Sequence, residues 1–243
     1  MNLVLTEGHR GYCAAFPENT LPSFEAALAL GVDAIEFDVW LTADKVPVLM
    51  HDGNPLRTCG VNQHLRNMTL AEVKQLEPAY NEKFGDRFVG QGITVPTLEE
   101  LLQLCAQKRP DIILGVEIKE YTEENVDLTV ALLKQYGFFD RCYFYAFNGR
   151  IIKYIKTAYN GRTMGYPDFQ MREFTPDIYG YYDELGLSMN ILHSEVAPLF
   201  LQKGLPIHMY CADTAEEVEF CLQLGASLIT ANDPLPLLKR LKK

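Results

Sequence analysis

The runs Ala34-Ile35-Glu36-Phe37-Asp38-Val39-Trp40 and Val46-Pro47-Val48-Leu49-Met50-His51-Asp52 carry the architecture of this chain. In the first, Ile35, Phe37 and Val39 alternate with Glu36 and Asp38. A strand here turns two carboxylates to one face and three apolar side chains to the other. Only Leu41 to Lys45 lie between the runs, too few residues for a crossover helix. A hairpin turning at Ala43-Asp44 pairs residues whose numbers sum to about 87 and sets Glu36 beside His51. A parallel pairing instead requires an extended return. Outward from this pair, strand patterns recur at Leu3 to Thr6, Ile112 to Ile118, Cys142 to Phe147, Arg162 to Gly165, Leu187 to Leu192, Ile207 to Cys211 and Leu228 to Ala231. Helical patterns separate them: one from Thr20 to Gly31, then Leu98 to Gln107, Glu123 to Gln135, Gly149 to Ala158, Ser194 to Gln202, Thr214 to Leu224 and Leu235 to Lys242. This alternation predicts an α/β fold with a largely parallel sheet. Nine strand candidates exceed the eight of a (β/α)8 TIM-type barrel, so one is accessory. We expect a single domain over 1–243, with 52–96 inserted as a cap over one barrel end after the strand ending at His51.

The composition narrows the partners. The 243 residues are 48% hydrophobic and 22% charged, enough for one large core. With 22 Lys+Arg against 32 Asp+Glu, the net charge of −10 repels phosphate backbones and anionic lipid, so nucleic acid is not expected as a partner. A phosphate-bearing small molecule must then meet a local cation. Leu3-Val4-Leu5 is too short for a signal-peptide core, and no run approaches the ~18 apolar residues of a membrane span. The six cysteines are scattered with no Cys-x-x-Cys pair, which points to reduced thiols and a cytoplasmic protein, not to a disulfide frame or a zinc site.

Chemistry concentrates at strand ends. Two carboxylates side by side in a barrel interior repel, and each is driven toward protonation unless a cation sits between them. Glu117, in Gly115-Val116-Glu117-Ile118-Lys119, adds a third acid from another strand. Three carboxylates without a nearby thiol make a hard-oxygen site for one divalent cation, Mg²⁺ or Ca²⁺. The bland alternative is that Glu36 and Asp38 pair with Lys or Arg in the lumen. His9 follows the first strand and His51 the third, where barrel enzymes keep their reactive groups, and an imidazole there suits proton transfer near neutral pH. Arg10, beside His9, can grip two oxygens of a phosphate. Trp40 lines the mouth or braces the hairpin, and His64, His193 and His208 take structural or surface roles.

His9-Arg10-Gly11, Pro17-Glu18-Asn19-Thr20, Glu36-x-Asp38, His51-Asp52 and Glu117-x-Lys119 together resemble the glycerophosphodiester phosphodiesterase family, in order over about half of the chain. The resemblance implies a metal-dependent phosphodiesterase of lipid and glycerol metabolism that releases glycerol 3-phosphate and an alcohol from small-molecule glycerophosphodiesters. Glu36, Asp38 and Glu117 match the family's metal ligands, His9 and His51 its general acid/base pair, and Arg10 and Lys119 its phosphate contacts. The second half departs from the pattern. Ala146-Phe147-Asn148 stands where Ser-Phe-Asn is usual, and Tyr210 stands where a Trp usually faces the substrate, which bears on alcohol specificity. Two other readings remain open: a lysophospholipase D-like enzyme, which needs an exposed apolar rim among residues such as Phe84, Phe88 and Val89, and a noncatalytic phospho-ligand binder.

Overall fold

The structure, a computed structural model, describes residues 4–242. Eight strands run parallel: β1 (Leu5–Gly8), β2 (Ala34–Leu41), β4 (Ile113–Ile118), β5 (Cys142–Tyr145), β6 (Thr163–Gly165), β7 (Glu184–Ser188), β8 (Ile207–Tyr210) and β9 (Leu228–Ala231). β1 pairs with both β2 and β9, which closes the sheet into a TIM barrel. The accessory ninth strand is β3 (Pro47–Leu49), antiparallel to β2. The first strand runs Leu5–Gly8, not Leu3 to Thr6, and Leu3 lies outside the described residues.

Strand faces divide as the alternation predicts. Ile35, Phe37 and Val39 pack into the large outer core with Val116, Ile118, Phe144 and the apolar faces of the surrounding helices. Glu36, Asp38 and Glu117 are left for the lumen. The helix Leu21–Leu30 starts where Thr20 Oγ1 accepts from Ser23 N and stops at Gly31, whose φ of 82° suits a residue without a Cβ. It buries Phe24, Ala27 and Leu28 against the barrel. Helices Leu98–Lys108 and Ala215–Gln223 open on full capping boxes, Thr97 with Glu100 and Thr214 with Glu217.

Two expectations need correction. The β2–β3 register is Val39↔Leu49, Trp40↔Val48 and Leu41↔Pro47, one residue away from the expected pairing, so Glu36 does not face His51 across the ladder. The loop is the cause. Thr42 N donates to Val46 O at 3.1 Å, and Lys45 at φ 63° makes a three-residue turn with a left-handed third residue instead of a two-residue turn at Ala43-Asp44. β3 also ends at Leu49, and His51 lies two residues past it. Second, the run Leu187 to Leu192 is not one strand. β7 covers Glu184–Ser188, and Met189–Leu192 is a helical turn capped by Ser188. An apolar run straddling a strand end and a helix start has no period that separates the two.

Above β1, β2 keeps going. β1 ends with Gly8 opposite Ile35, whereas β2 continues to Leu41. β3 takes the vacated edge of β2 and runs back down it, and Met50 N still reaches Asp38 O at 3.1 Å. The insertion that follows has small apolar clusters of its own, one of Val48, Met50, Leu65, Met68, Val73, Leu76 and Val95, another of Ala79, Phe88 and Ile93. Its return closes on its departure point, with Leu49 N donating to Pro96 O at 2.9 Å.

Candidate active site

A cavity of about 190 Å³ opens among the strand carboxyl ends, lined by His9, Arg10, Glu36, His51, Glu117 and Lys119 on one side. Each of Glu36, Asp38 and Glu117 offers an oxygen within 4.8 Å of the others, and all three are buried. Register explains their meeting: Asp38 lies beside Glu117 on the neighbouring strand, and Glu36 sits two residues back on the same face. Their partners are specific. Tyr145 OH donates to Glu36 Oε1 at 2.5 Å, Arg10 N to Glu36 Oε2 at 3.0 Å, and Asn19 Nδ2 to Asp38 Oδ2 at 2.8 Å. Lys119 Nζ stands 3.2 Å from Asp38 Oδ1 and 2.7 Å from Glu117 Oε1, and Arg10 Nε stands 3.4 Å from Asp38 Oδ2. The pairing with Lys and Arg therefore exists, and it does not balance the acids.

The imbalance is electrostatic. Among the described residues, Glu18, Asp38, Asp52 and Glu117 pair with three permanent cations, Arg10, Arg57 and Lys119, while Glu36 is met by the Arg10 backbone N–H and by His9. Burial pushes Glu36 well above the usual carboxylate range, and repulsion from Asp38 adds to it. Burial likewise raises Glu117 to about 7 against the pull of Lys119. Asp38 is the exception: burial pushes it up, but Lys119 and Arg10 outweigh that and hold it low. Asp38 Oδ1 and Glu117 Oε1 are buried, and both lean on the one Lys119 ammonium. Converging hard oxygens from three carboxylates, two of them driven toward protonation for want of positive charge, fit a divalent cation.

The two histidines flank this cluster. His9 Nδ1 donates to Asn232 Oδ1 at 2.7 Å, and Asn232 is held in that orientation because its Nδ2 donates to Asp213 Oδ2 at 2.7 Å. Nε2 of His9 then faces Glu36 Oε2 at 3.8 Å. Burial and the nearby Arg10 lower His9 to about 4, so its neutral form dominates near pH 7. His51 Nδ1 donates to Asp52 Oδ1 at 2.7 Å, and Trp40 Nε1 donates to the His51 carbonyl at 3.3 Å, so Trp40 braces the hairpin. Arg10 sits at φ 51° and Asn19 at φ 55°, left-handed backbone that costs about 1–3 kcal/mol at a non-glycine residue. The Ser23 hydroxyl and Asn19 N both donate to the Arg10 carbonyl and hold the turn.

Opposite the charged side stands an aromatic wall. Phe147 stacks on Tyr166 at 4.1 Å, and Tyr166 meets Tyr210 edge-on at 5.8 Å, so Tyr210 does line the cavity. The floor is polar: Tyr143 OH and Thr230 Oγ1 each donate to Glu7 at 2.7 Å, and His208 pairs with buried Glu184. His64 caps a turn through Arg66 N and His193 stacks on Phe220 at 4.4 Å, both away from the cavity. The motifs miss Tyr145, Arg57 and the buried floor acids Glu7 and Glu184. Only Tyr145 left a sequence signal, its alternation with Tyr143 on one strand face.

A closed barrel with a polar cavity at its strand carboxyl ends defines the class: a TIM-barrel enzyme. The sequence model of the glycerophosphoryl diester phosphodiesterase family matches residues 9–235, and the chain belongs to that family. Its activity is that of a phosphoric diester hydrolase acting on glycerophosphodiesters. A glycerophosphodiester phosphodiesterase of Caldanaerobacter subterraneus subsp. tengcongensis is 28% identical over 249 residues, covering 98% of both chains. Mouse glycerophosphodiester phosphodiesterase 1 is 36% identical over 109 residues, 45% of this chain and 32% of that one. Among solved structures, an Oleispira antarctica phosphodiesterase in complex with the product sn-glycerol-3-phosphate superposes with a TM-score of 0.85 at 23% identity, covering 99% of this chain and 98% of that one. A glycerophosphodiester phosphodiesterase from Agrobacterium tumefaciens gives 0.79 at 21% identity, covering 98% and 100%.

Proposed function

We propose that the chain hydrolyses glycerophosphodiesters to glycerol 3-phosphate and an alcohol with the help of one divalent cation, Mg²⁺ or Ca²⁺. The observation that carries this is the convergence of three buried carboxylates and two histidines on one cavity. Glu36, Asp38 and Glu117 would hold the cation, which when bound supplies positive charge for the phosphoryl oxygens. Arg10 and Lys119 grip the phosphate and stabilise charge that builds on it. One imidazole takes a proton from the nucleophile, either water directly or the glycerol 2-hydroxyl with water then opening the cyclic phosphate, and the other gives one to the departing alkoxide. Each presents Nε2 to the reaction because its Nδ1–H is already committed, to Asn232 or to Asp52. Tyr210 and its aromatic neighbours supply an apolar wall for the non-phosphate part of the substrate. The product bound to the Oleispira antarctica relative is the one expected here.

The lysophospholipid alternative is less favoured. Phe88 is buried and Phe84 packs on the same small cluster, which leaves Val89 with Leu56 and Val61 as the exposed large apolar residues of the insertion. We treat 1–243 as one catalytic unit with 52–96 covering the barrel end. Six free cysteines favour a cytoplasmic setting, and no helix among the described residues is long and apolar enough to cross a membrane. The test is release of glycerol 3-phosphate from diesters carrying choline, ethanolamine, glycerol or inositol, with Mg²⁺, with Ca²⁺ and with excess chelator. Release that chelator stops and one metal restores is expected. Chelator-insensitive release would remove the cation from the scheme.

A further inference from the structure

Arg57 belongs to no strand of the barrel, yet it joins two parts of the cavity wall. It comes from the helical turn Leu56–Cys59 of the insertion. Its Nε donates to Asp52 Oδ2 at 2.6 Å, its Nη1 to Glu18 Oε2 at 3.0 Å and its Nη2 to Glu18 Oε1 at 2.7 Å. The guanidinium lies over the Tyr80 ring, 4.9 Å from its centre. Both acids also hold a second partner. Asp52 takes the Nδ1–H of His51, and Glu18 takes Nη1 of Arg10 at 2.9 Å. One planar fork thus ties the carboxylate behind His51 to the carboxylate behind Arg10, which a single ammonium lacks the geometry to do.

We infer that Arg57 is a positioning residue for this reaction, fixing the His51 imidazole through Asp52 and the Arg10 guanidinium through Glu18. The inference rests on the roles proposed above for His51 and Arg10. Its two arms act differently. The Asp52 arm governs how well His51 is aimed for proton transfer, so it acts on kcat. The Glu18 arm governs where Arg10 meets the phosphate, so it acts on affinity as well as on the charge that builds there. A side chain that merely braced the insertion would not divide its effects this way.

The experiment measures kcat on sn-glycero-3-phosphocholine and calorimetric binding of sn-glycerol 3-phosphate for the wild type and four variants. Asp52→Asn should lower kcat and spare binding, whereas Glu18→Gln should weaken binding. Arg57→Ala should do both, with kcat falling about 10- to 100-fold as for other orienting partners. Added to Asp52→Asn, Arg57→Ala should cost clearly less kcat than it costs alone. Millimolar methylguanidinium should restore part of the Arg57→Ala rate, because the Arg57 side chain is 31% exposed and its site opens to solvent. The inference is overturned if Arg57→Ala stays within about twofold in both readouts, or if its kcat loss persists undiminished beside Asp52→Asn. Should Arg57→Ala fail to fold, the two near-isosteric acid variants decide: losses of kcat and binding that move together in both overturn it. A wild type that releases no sn-glycerol 3-phosphate from any diester fails the functional reading, whereas an active wild type with an undivided response fails this inference alone.

Discussion

His9 is held directly by a neutral amide rooted in the barrel, His51 directly by a carboxylate whose own partner comes from the insertion. The partner of His9 is an amide just beyond β9, fixed by Asp213 just beyond β8, so the ends of three strands set the ring. The partner of His51 is a carboxylate, and behind it runs the chain Asp52–Arg57–Glu18–Arg10, with the Asp52 side chain 33% exposed. The difference teaches that one cavity can aim two like side chains by unlike means. A hydrogen bond to a neutral amide is less sensitive to salt, while a partly exposed chain of ion pairs is screened.

The largest effect should come from the rings themselves. His9→Ala and His51→Ala should each lower turnover by about 10²–10⁴, as positioned acid–base groups do. Calorimetry with Mg²⁺ or Ca²⁺ should still show cation binding in both. Near-normal activity in either variant would break the comparison at its root. A smaller effect, about 10- to 100-fold, is expected from their partners in Asn232→Ala and Asp52→Asn. The two should differ in salt: wild type and Asn232→Ala lose rate as ionic strength rises from about 0.1 M to 1 M, where the Debye length falls from ~10 Å to ~3 Å. Asp52→Asn should have lost that sensitivity, and equal salt responses would argue that both frames are alike.

The smallest effect is on stability against pH. The hydrogen bond from His51, reinforced by Arg57 against the pull of burial, holds Asp52 below the ordinary carboxylate range. A carboxylate depressed in the folded state stabilises above its unfolded value of about 3.9, and that contribution is lost as pH falls through the lowered value. The Tm gap between wild type and Asp52→Asn should therefore be open at pH 6 and close as pH drops below about 4. A gap that persists at low pH would mean that Asp52 acts by packing, not by charge.

How much of this the amino-acid sequence discloses depends on the range of the interaction involved. Alternation in Glu36-Phe37-Asp38 gives the strand and its lumen face, because a strand's period is a local property. Thr20, Thr97 and Thr214 give helix starts for the same reason. The hairpin register escapes by one residue, since it turns on Lys45 adopting a left-handed backbone. Asn19 reads as a cap candidate, yet Thr20 does the capping and Asn19 holds Asp38. Tyr145 and Asn232 reach the site across 109 and 223 residues of chain, and no local pattern encodes such a meeting. Glu184 hides the start of β7, because a charged residue at a strand's first position suggests a loop until His208 and Arg162 are found beside it.

The hydrogen bond from Leu49 N to Pro96 O has an evolutionary meaning. It pins the two ends of the intervening segment together, so the barrel's backbone is interrupted at one closed junction, while side-chain ties such as Arg57 to Glu18 reach in from the segment. Lengthening such a loop is cheap, about 0.6 kcal/mol for each doubling in a flexible chain. Descendants of this scaffold are thus free to trade the outer stretches of the segment for new surface and new substrate range, provided that the one helical turn carrying Arg57 is kept.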